Sequence, residues 1–396
     1  MAFAAGASLA MVYFCQPLLM EMALSFRTPT QVLHWVPALA QLGTALGTLF
    51  ILPLGDRMER RALAVTVCGA LAIAALCMAC SPSFALLLLS SFLIGCTCCV
   101  THLLLPIATM LAPARQSATA IGAVQSGLLL GVLLGRTLAG FLGGTFGWRP
   151  VYYAGFVMML VVSWLIYRTL PQCFSDLRVN YGTLLSSAAQ LFRFRVMRDS
   201  AIIGAMLFGA FNAFWTTLVL FLASPPWNYG ARMAGALGLL AACSAAAAPL
   251  FGRWIDRSSP RLVLGWTLFF LLISFGVIVL SGHHFAGLIV GIILLDVSAQ
   301  SAQVANVARV YACFPQARSR AAMAYMVCFC LGGSLGSTLG GWAWNNAGWM
   351  GVCMVGGAMS AIALLVHRLT PLGPQGAVLV AHGNVALEEI PEPAVE

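Results

Sequence analysis

The stretch LPLGDRMERR, Leu52 to Arg61, sets Asp56, Arg57, Glu59, Arg60 and Arg61 between two long apolar runs, in a 396-residue chain of which only 8% is charged. It has an echo. GRWIDRSSPR, Gly252 to Arg261, places Asp256, Arg257 and Arg261 at one constant offset from Asp56, Arg57 and Arg61. A charged loop repeated at a fixed interval between apolar segments predicts two copies of one membrane unit.

Composition sets the class. Hydrophobic residues make up 61% of the chain and mean hydropathy is +0.94, against about 45–50% apolar and about 25% charged residues in soluble domains. A polytopic membrane protein is expected. The net charge of +9 is the excess of 20 basic residues, all Arg, over 11 acidic ones, and the arginines are dispersed among apolar segments, which argues against a nucleic-acid surface. The 13 Cys lie mostly inside apolar runs, where thiols act as small packing residues. Cys77–Cys80 and Cys96–Cys99 lack a second ligand pair, so no metal site is expected. The first apolar run begins at Met1 and reads as a spanning helix, not as a signal peptide.

A spanning helix needs about 20 apolar residues, and that length predicts twelve spans. They fall near 2–23, 33–54, 61–80, 84–106, 117–145 and 148–168, then near 200–223, 232–254, 261–281, 285–308, 320–343 and 349–367. Placing both termini in the cytoplasm puts sixteen Arg on that side and leaves only Arg27, Arg149 and Arg232 outside, as the positive-inside rule requires. The expected organisation is a six-helix bundle over 1–170, a cytoplasmic linker over 171–198, a second bundle over 199–369 and a disordered tail over 370–396. LLSSAAQLFRFRVMR in the linker is amphipathic and predicts a helix lying on the membrane. The repeat extends further, because Gly131, Gly135, Gly140 and Gly147-Trp148 are mirrored by Gly332, Gly336, Gly341 and Gly348-Trp349 at an offset of 201.

With the loop, the spans and the repeat together, the chain resembles the major facilitator superfamily over nearly all its length. LPLGDRMERR resembles that family's G-x-x-x-D-R-x-G-R-R, matching at Asp56, Arg57, Arg60 and Arg61, with Gly55 between and with Leu52 and Glu59 where glycines are usual. The second copy has Gly252 in the first glycine position. VYFCQPLLMEMA in span 1, FNAFWTTL in span 7 and ARSRAAMAYMV at the start of span 11 resemble a bacterial drug or metabolite:proton antiporter branch. The family's helix 5 signature G-x-x-x-G-P-x-x-G-G stands here as GVLLGRTLAG, with Arg136 at the proline and Ala139 at a glycine. Ser91 occupies the position of the family's helix 4 arginine. The resemblance implies an all-α fold of two parallel six-helix repeats that rock about a mid-membrane site. It also implies that Asp56 docks at the start of span 11 near Ser319, and by symmetry Asp256 near Ser117, both contacts closing the cytoplasmic side.

Intramembrane charge narrows the chemistry. Of the 11 acidic residues all but Asp296 and Glu21 fall in loops or the tail. Asp296 sits near the middle of span 10, where an ionised group costs about 2.5–3.5 kcal/mol. Asp296, Gln300, Gln303 and Asn306 share one helix face by spacing. That stripe is either a hydrogen-bonded packing seam or the wall of a wet cavity with Asp296 as proton acceptor. Arg136 is the arginine well inside a span, on one face of span 5 with Gln125. It pairs with Asp296 or Glu21, receives an anionic substrate group, or bonds backbone carbonyls. His102 and His34 are either proton carriers or packing histidines. Tyr13, Gln16, Asn212, Trp215 and Thr216 are further cavity candidates, and Pro17 is placed to bend span 1.

The chain has no phosphate-cradling G-x-x-x-x-G-K-[ST] loop and no catalytic constellation. The expectation is therefore not an enzyme but a cofactor-free, monomeric secondary transporter of the bacterial inner membrane. It exchanges protons for a small amphipathic compound moving outwards. The alternatives are a metabolite importer or uniporter, and a transport-dead sensor or scaffold acting through the tail.

Overall fold

Two glycines turn the chain back at matching places. In this computed structural model Gly147 has φ 84° and Gly348 has φ 57°, a backbone region where only glycine is free of Cβ strain. They are the pair that the sequence repeat sets 201 residues apart. The structure describes residues 1–111, 117–172, 181–240, 259–281 and 284–370. Among these there are helices and turns and no strand.

Span 1 comprises Ala2–Tyr13 and Cys15–Phe26, bent by 40° at Phe14. Pro17 lies three residues past the break, where it has no N–H to give and its ring would strike the Tyr13 carbonyl. Cys15 Sγ instead donates to the Val12 carbonyl at 3.3 Å. Span 2 is Trp35–Phe50, followed by the 3-10 turn Leu52–Asp56, and span 3 is Arg60–Ala79. Span 4 breaks at Cys99 into Phe84–Cys98 and Val100–Leu111. Span 5 is Ser117–Phe146 and span 6 Trp148–Thr169. The linker carries a helix over Tyr181–Gln190, whose Tyr181 hydroxyl donates to the Phe50 carbonyl at 2.7 Å.

The second half follows the same plan, with span 7 at Arg195–Ala223, span 9 at Pro260–Leu280 and span 10 at Phe285–Cys313. Spans 11 and 12 form one run, Arg318–Leu369, interrupted at Gly348. Span 8 is described over Ala231–Gly238 only. Among the described residues nine helices are long and apolar enough to cross a membrane, or ten with the bent span 1. Dividing the long run at Gly348 adds one more, and the remaining expected span, near 232–254, lies mostly outside the described residues.

Small residues bring the helices together, as in membranes, where close backbone approach replaces hydrophobic pressure. A Cβ on Gly131 would strike the Gly6 carbonyl and one on Gly135 would meet Ala10, locking span 5 onto span 1. Gly332, Gly336 and Gly340 meet Ala205, Gly209 and Ala213 in the same manner, locking span 11 onto span 7. Spans 2 and 4 interlock through Gly43, Gly47 and Gly95. Ser91 adds a bond to the Val36 carbonyl at 2.7 Å, so the position of the family's arginine here straps span 4 to span 2. Beside the glycine seam on span 5, Leu130, Leu134, Leu138 and Phe141 are exposed, as a lipid-facing stripe should be.

The halves meet along a line from the middle of the bundle to the end that holds the Gly147 and Gly348 turns, called here the far end. Gln41 donates to Asn212 Oδ1 at 3.5 Å, and Gly140 lies against Ala231 and Gly235. Further out, Arg232 donates to Thr145 Oγ1 at 3.2 Å, Gly341 lies against His34, and Asn345 donates to the Gln31 carbonyl at 3.1 Å. The near end holds the Leu52–Arg61 loop, the linker and Thr370.

Candidate functional site

Arg136 enters the centre from span 5 next to Gly135, which lets its helix lie close to Ala10 of span 1. It is 2% exposed. Its Nε donates to Gln16 Oε1 at 2.8 Å. Its guanidinium carbon lies 4.1 Å from the Trp215 ring centroid, 4.8 Å from that of Tyr13 and 5.3 Å from that of Phe211. Aromatic faces are the one apolar surface that attracts a desolvated cation. Both terminal nitrogens lack a hydrogen-bond partner.

Asp296, 1% exposed, comes from span 10. Its Oδ1 accepts from Trp215 Nε1 at 3.0 Å, and its Oδ2 has no partner. Trp215 therefore stands between cation and carboxyl, its face toward one and its N–H toward the other. No ion pair joins Arg136 to Asp296 or to Glu21, which is half-buried. The pairing open from the sequence is thus mediated through an indole. Beside Arg136 is a cavity of about 10 Å³, lined by Gln16, Pro17, Trp215, Leu218, Val219 and Ala234. That is room for about one water.

The other candidates separate into groups. Asn212 donates to the Phe208 carbonyl at 3.0 Å and accepts from Gln41, and Thr216 bonds Ser337 at 3.0 Å. Asn306 donates to the Ser200 carbonyl at 2.9 Å and to the Tyr325 hydroxyl at 3.5 Å, tying span 10 to spans 7 and 11. Gln300 and Gln303 are half-buried, so the stripe runs from a central carboxyl to a packing bond at Asn306. Gln125 is exposed and His102 half-buried. His34 is buried with its ring 5.2 Å from that of Trp35. Gln41 and Phe211 were not among the sequence candidates. Gln41 is the one amide in Trp35–Phe50, a signal of the kind that Arg136 gave; Phe211 has none, because an aromatic in a span is ordinary.

At the near end Gly55 offers its carbonyl to Arg60 Nε at 3.0 Å. Arg61 donates to the Leu170 carbonyl at 3.2 Å and lies over Tyr167 at 5.3 Å. Arg261 donates to the Thr370 carbonyl, the same contact in the second half. Glu59, at the family's glycine position, caps span 3 by accepting from the Arg61 and Ala62 amides at 3.2 and 2.9 Å. Ser259 caps span 9 through the Leu262 amide at 3.3 Å. Asp56 closes the 3-10 turn, while Arg57 and Ser319 are exposed. Gly252, Asp256 and Arg257 lie outside the described residues. Among the described residues no three His, Cys, Asp or Glu are grouped to hold a metal ion.

The chain matches known transporters in sequence and in shape. A family model described as Major Facilitator Superfamily matches residues 1–244. The "Uncharacterized transporter YgaY" of Escherichia coli O157:H7 is 35% identical over 367 residues, 92% of this chain and 93% of that protein. A D-xylose-proton symporter aligns with TM-score 0.75 at 13% identity, over 94% of this chain and 98% of the other. The nucleoside transporter NupG aligns with TM-score 0.73 at 13% identity, over 93% and 99%. The repeated turns, the glycine-packed helix pairs and the family match together make this all-α multi-pass protein a membrane transporter that belongs to the major facilitator superfamily.

Proposed function

We propose that the chain is a proton-coupled secondary transporter that carries a small amphipathic organic compound outwards. Two six-helix bundles, 1–170 and 199–369, rock about the central site, with Asp296 as the proton acceptor. The observation that supports this is the arrangement at the junction of the halves, where the Asp296 carboxyl has one oxygen on Trp215 and the other unpartnered, one indole away from Arg136. A buried carboxyl in such surroundings is rare unless it is used. The arginine distribution puts the near end in the cytoplasm of a bacterial cell, and the conformation is then the one closed to the outside. The exposed Ser319 is what an unlatched near end would present, with Asp56 docking there when that side closes. One proton crossing 100 mV contributes about 2.3 kcal/mol, equivalent to a gradient of about fifty-fold.

The test is reconstitution of the chain into vesicles with a substrate panel under an imposed proton gradient. Asp296→Asn is expected to exchange substrate without responding to the gradient. Unchanged gradient-driven flux in that variant would remove Asp296 from the mechanism. Movement of substrate and proton in one direction is the second reading, favoured by the two unpartnered nitrogens of Arg136, which suit a negative group.

A further inference from the structure

We infer that the central site takes a small organic monoanion, a carboxylate on a flat or apolar body, with the carboxylate on Arg136; this rests on the reading of that site as the transport site. Two independent features carry it. The first is unmet hydrogen bonding: the terminal nitrogens of Arg136 have no partner although the side chain is 2% exposed. Buried donors are normally satisfied, and a guanidinium presents paired N–H groups at the spacing of a carboxylate. The second is the surroundings. Tyr13, Phe211 and Trp215 face the guanidinium, while Leu218 and Val219 line the cavity beside it. Such walls suit the apolar body of an acid better than the hydroxyls of a sugar, which would need more polar partners than the site offers. The cavity has room for about one water in this conformation, so the acid is taken up when the two bundles move apart around it.

Counting charge fixes what accompanies the acid. Asp296 faces Arg136 of span 5 and the Trp215 indole of span 7, with Tyr13 of span 1 across the guanidinium. The empty centre holds one positive and one negative group. An added anion leaves an excess negative charge in a low-dielectric interior, where a lone charge is costly. A proton taken from water onto Asp296 Oδ2, the oxygen with no partner, forms the O–H bond of the neutral acid and restores balance, so that one anion and one proton enter together. Acid and proton then move in one direction, as in the second reading of the transport cycle, and together they carry no net charge.

The full chain in detergent supplies the test, because thermal protection requires no transport. Benzoate and hexanoate are expected to raise the unfolding midpoint, while benzyl alcohol, benzylamine, hexanol and hexylamine leave it in place. Arg136→Gln should weaken benzoate by about tenfold or more, the loss of a charged hydrogen bond. Arg136→Lys keeps the charge, guards against a folding defect, and should retain part of the effect. Benzoate binding should tighten as pH falls in the parent chain and become insensitive to pH in Asp296→Asn. The anion site is overturned if neither acid protects more than its neutral partner, or if Arg136→Gln binds benzoate as the parent does. Persistent pH dependence in Asp296→Asn overturns the proton linkage alone. Failure of gradient-driven flux with benzoate protection intact would count against the proposed transport cycle, not against the site.

Discussion

The two halves share a backbone plan and differ in what they place at the centre. Span 5 meets span 1 as span 11 meets span 7, Gly147 turns the chain as Gly348 does, and Arg61 holds Leu170 as Arg261 holds Thr370. At the offset of 201, however, the partner of Arg136 is Ser337, which bonds Thr216 in the span 7 wall, whereas Arg136 bonds Gln16 in the span 1 wall. Asp296 at the same offset faces Gly95. Scaffold positions have kept their residues because any side chain there collides with backbone, while central positions face one another across a junction and need only complement. The first half thus brings the cation and the second the carboxyl and the indole.

The scaffold side of this comparison is broken most severely at the glycines. Gly131→Leu and Gly336→Leu each push a side chain into a carbonyl of the neighbouring helix. Both are expected to destabilise by about 3 kcal/mol or more, read as a fall in the unfolding midpoint in detergent. Equal losses would confirm the symmetry of the packing, and tolerance at one site would show that half to be slack. Trp215→Phe tests the central side, since it keeps a ring beneath Arg136 but removes the N–H that Asp296 accepts. Coupled flux should fall about tenfold and the unfolding midpoint should fall with it, because the buried carboxyl loses its one donor; full flux would make the indole N–H dispensable. The smallest effect is expected at the caps. Glu59→Ala and Ser259→Ala should each cost about 1 kcal/mol, seen as faster amide exchange in the first turn of spans 3 and 9. Glu59, which accepts two amides to the single amide of Ser259, should show the larger change.

The fold was legible because the signals that set it are one-dimensional: run length and glycines at a fixed interval. Charged residues at the centre were legible for a related reason, since Asp296 and Arg136 stand out in apolar runs. Their relation was not. Whether an arginine meets a carboxyl directly or through an indole depends on how spans 1, 5, 7 and 10 converge, and no spacing within one helix reports that. Asn306 shows the same limit, because periodicity places it on the face of Asp296 whereas its partners on spans 7 and 11 make it a packing bond. Glu59 reads as a departure from the family motif in the sequence and proves to be a helix cap, a role for which glutamate is not among the usual residues.

The cage around Arg136 also has a history within each synthesis of the chain. Span 1 leaves the ribosome before span 5, and spans 7 and 10 follow. When Arg136 enters the bilayer, at a cost of about 2.5–3.5 kcal/mol for an arginine at mid-membrane, Gln16 and Tyr13 are already there and Trp215, Phe211 and Asp296 are not yet made. The bond from Arg136 to Gln16 is therefore the companion that a newborn span 5 can have from the start. A contact that looks like one wall of a binding site is, during biogenesis, the escort of an arginine waiting for the second half of its protein.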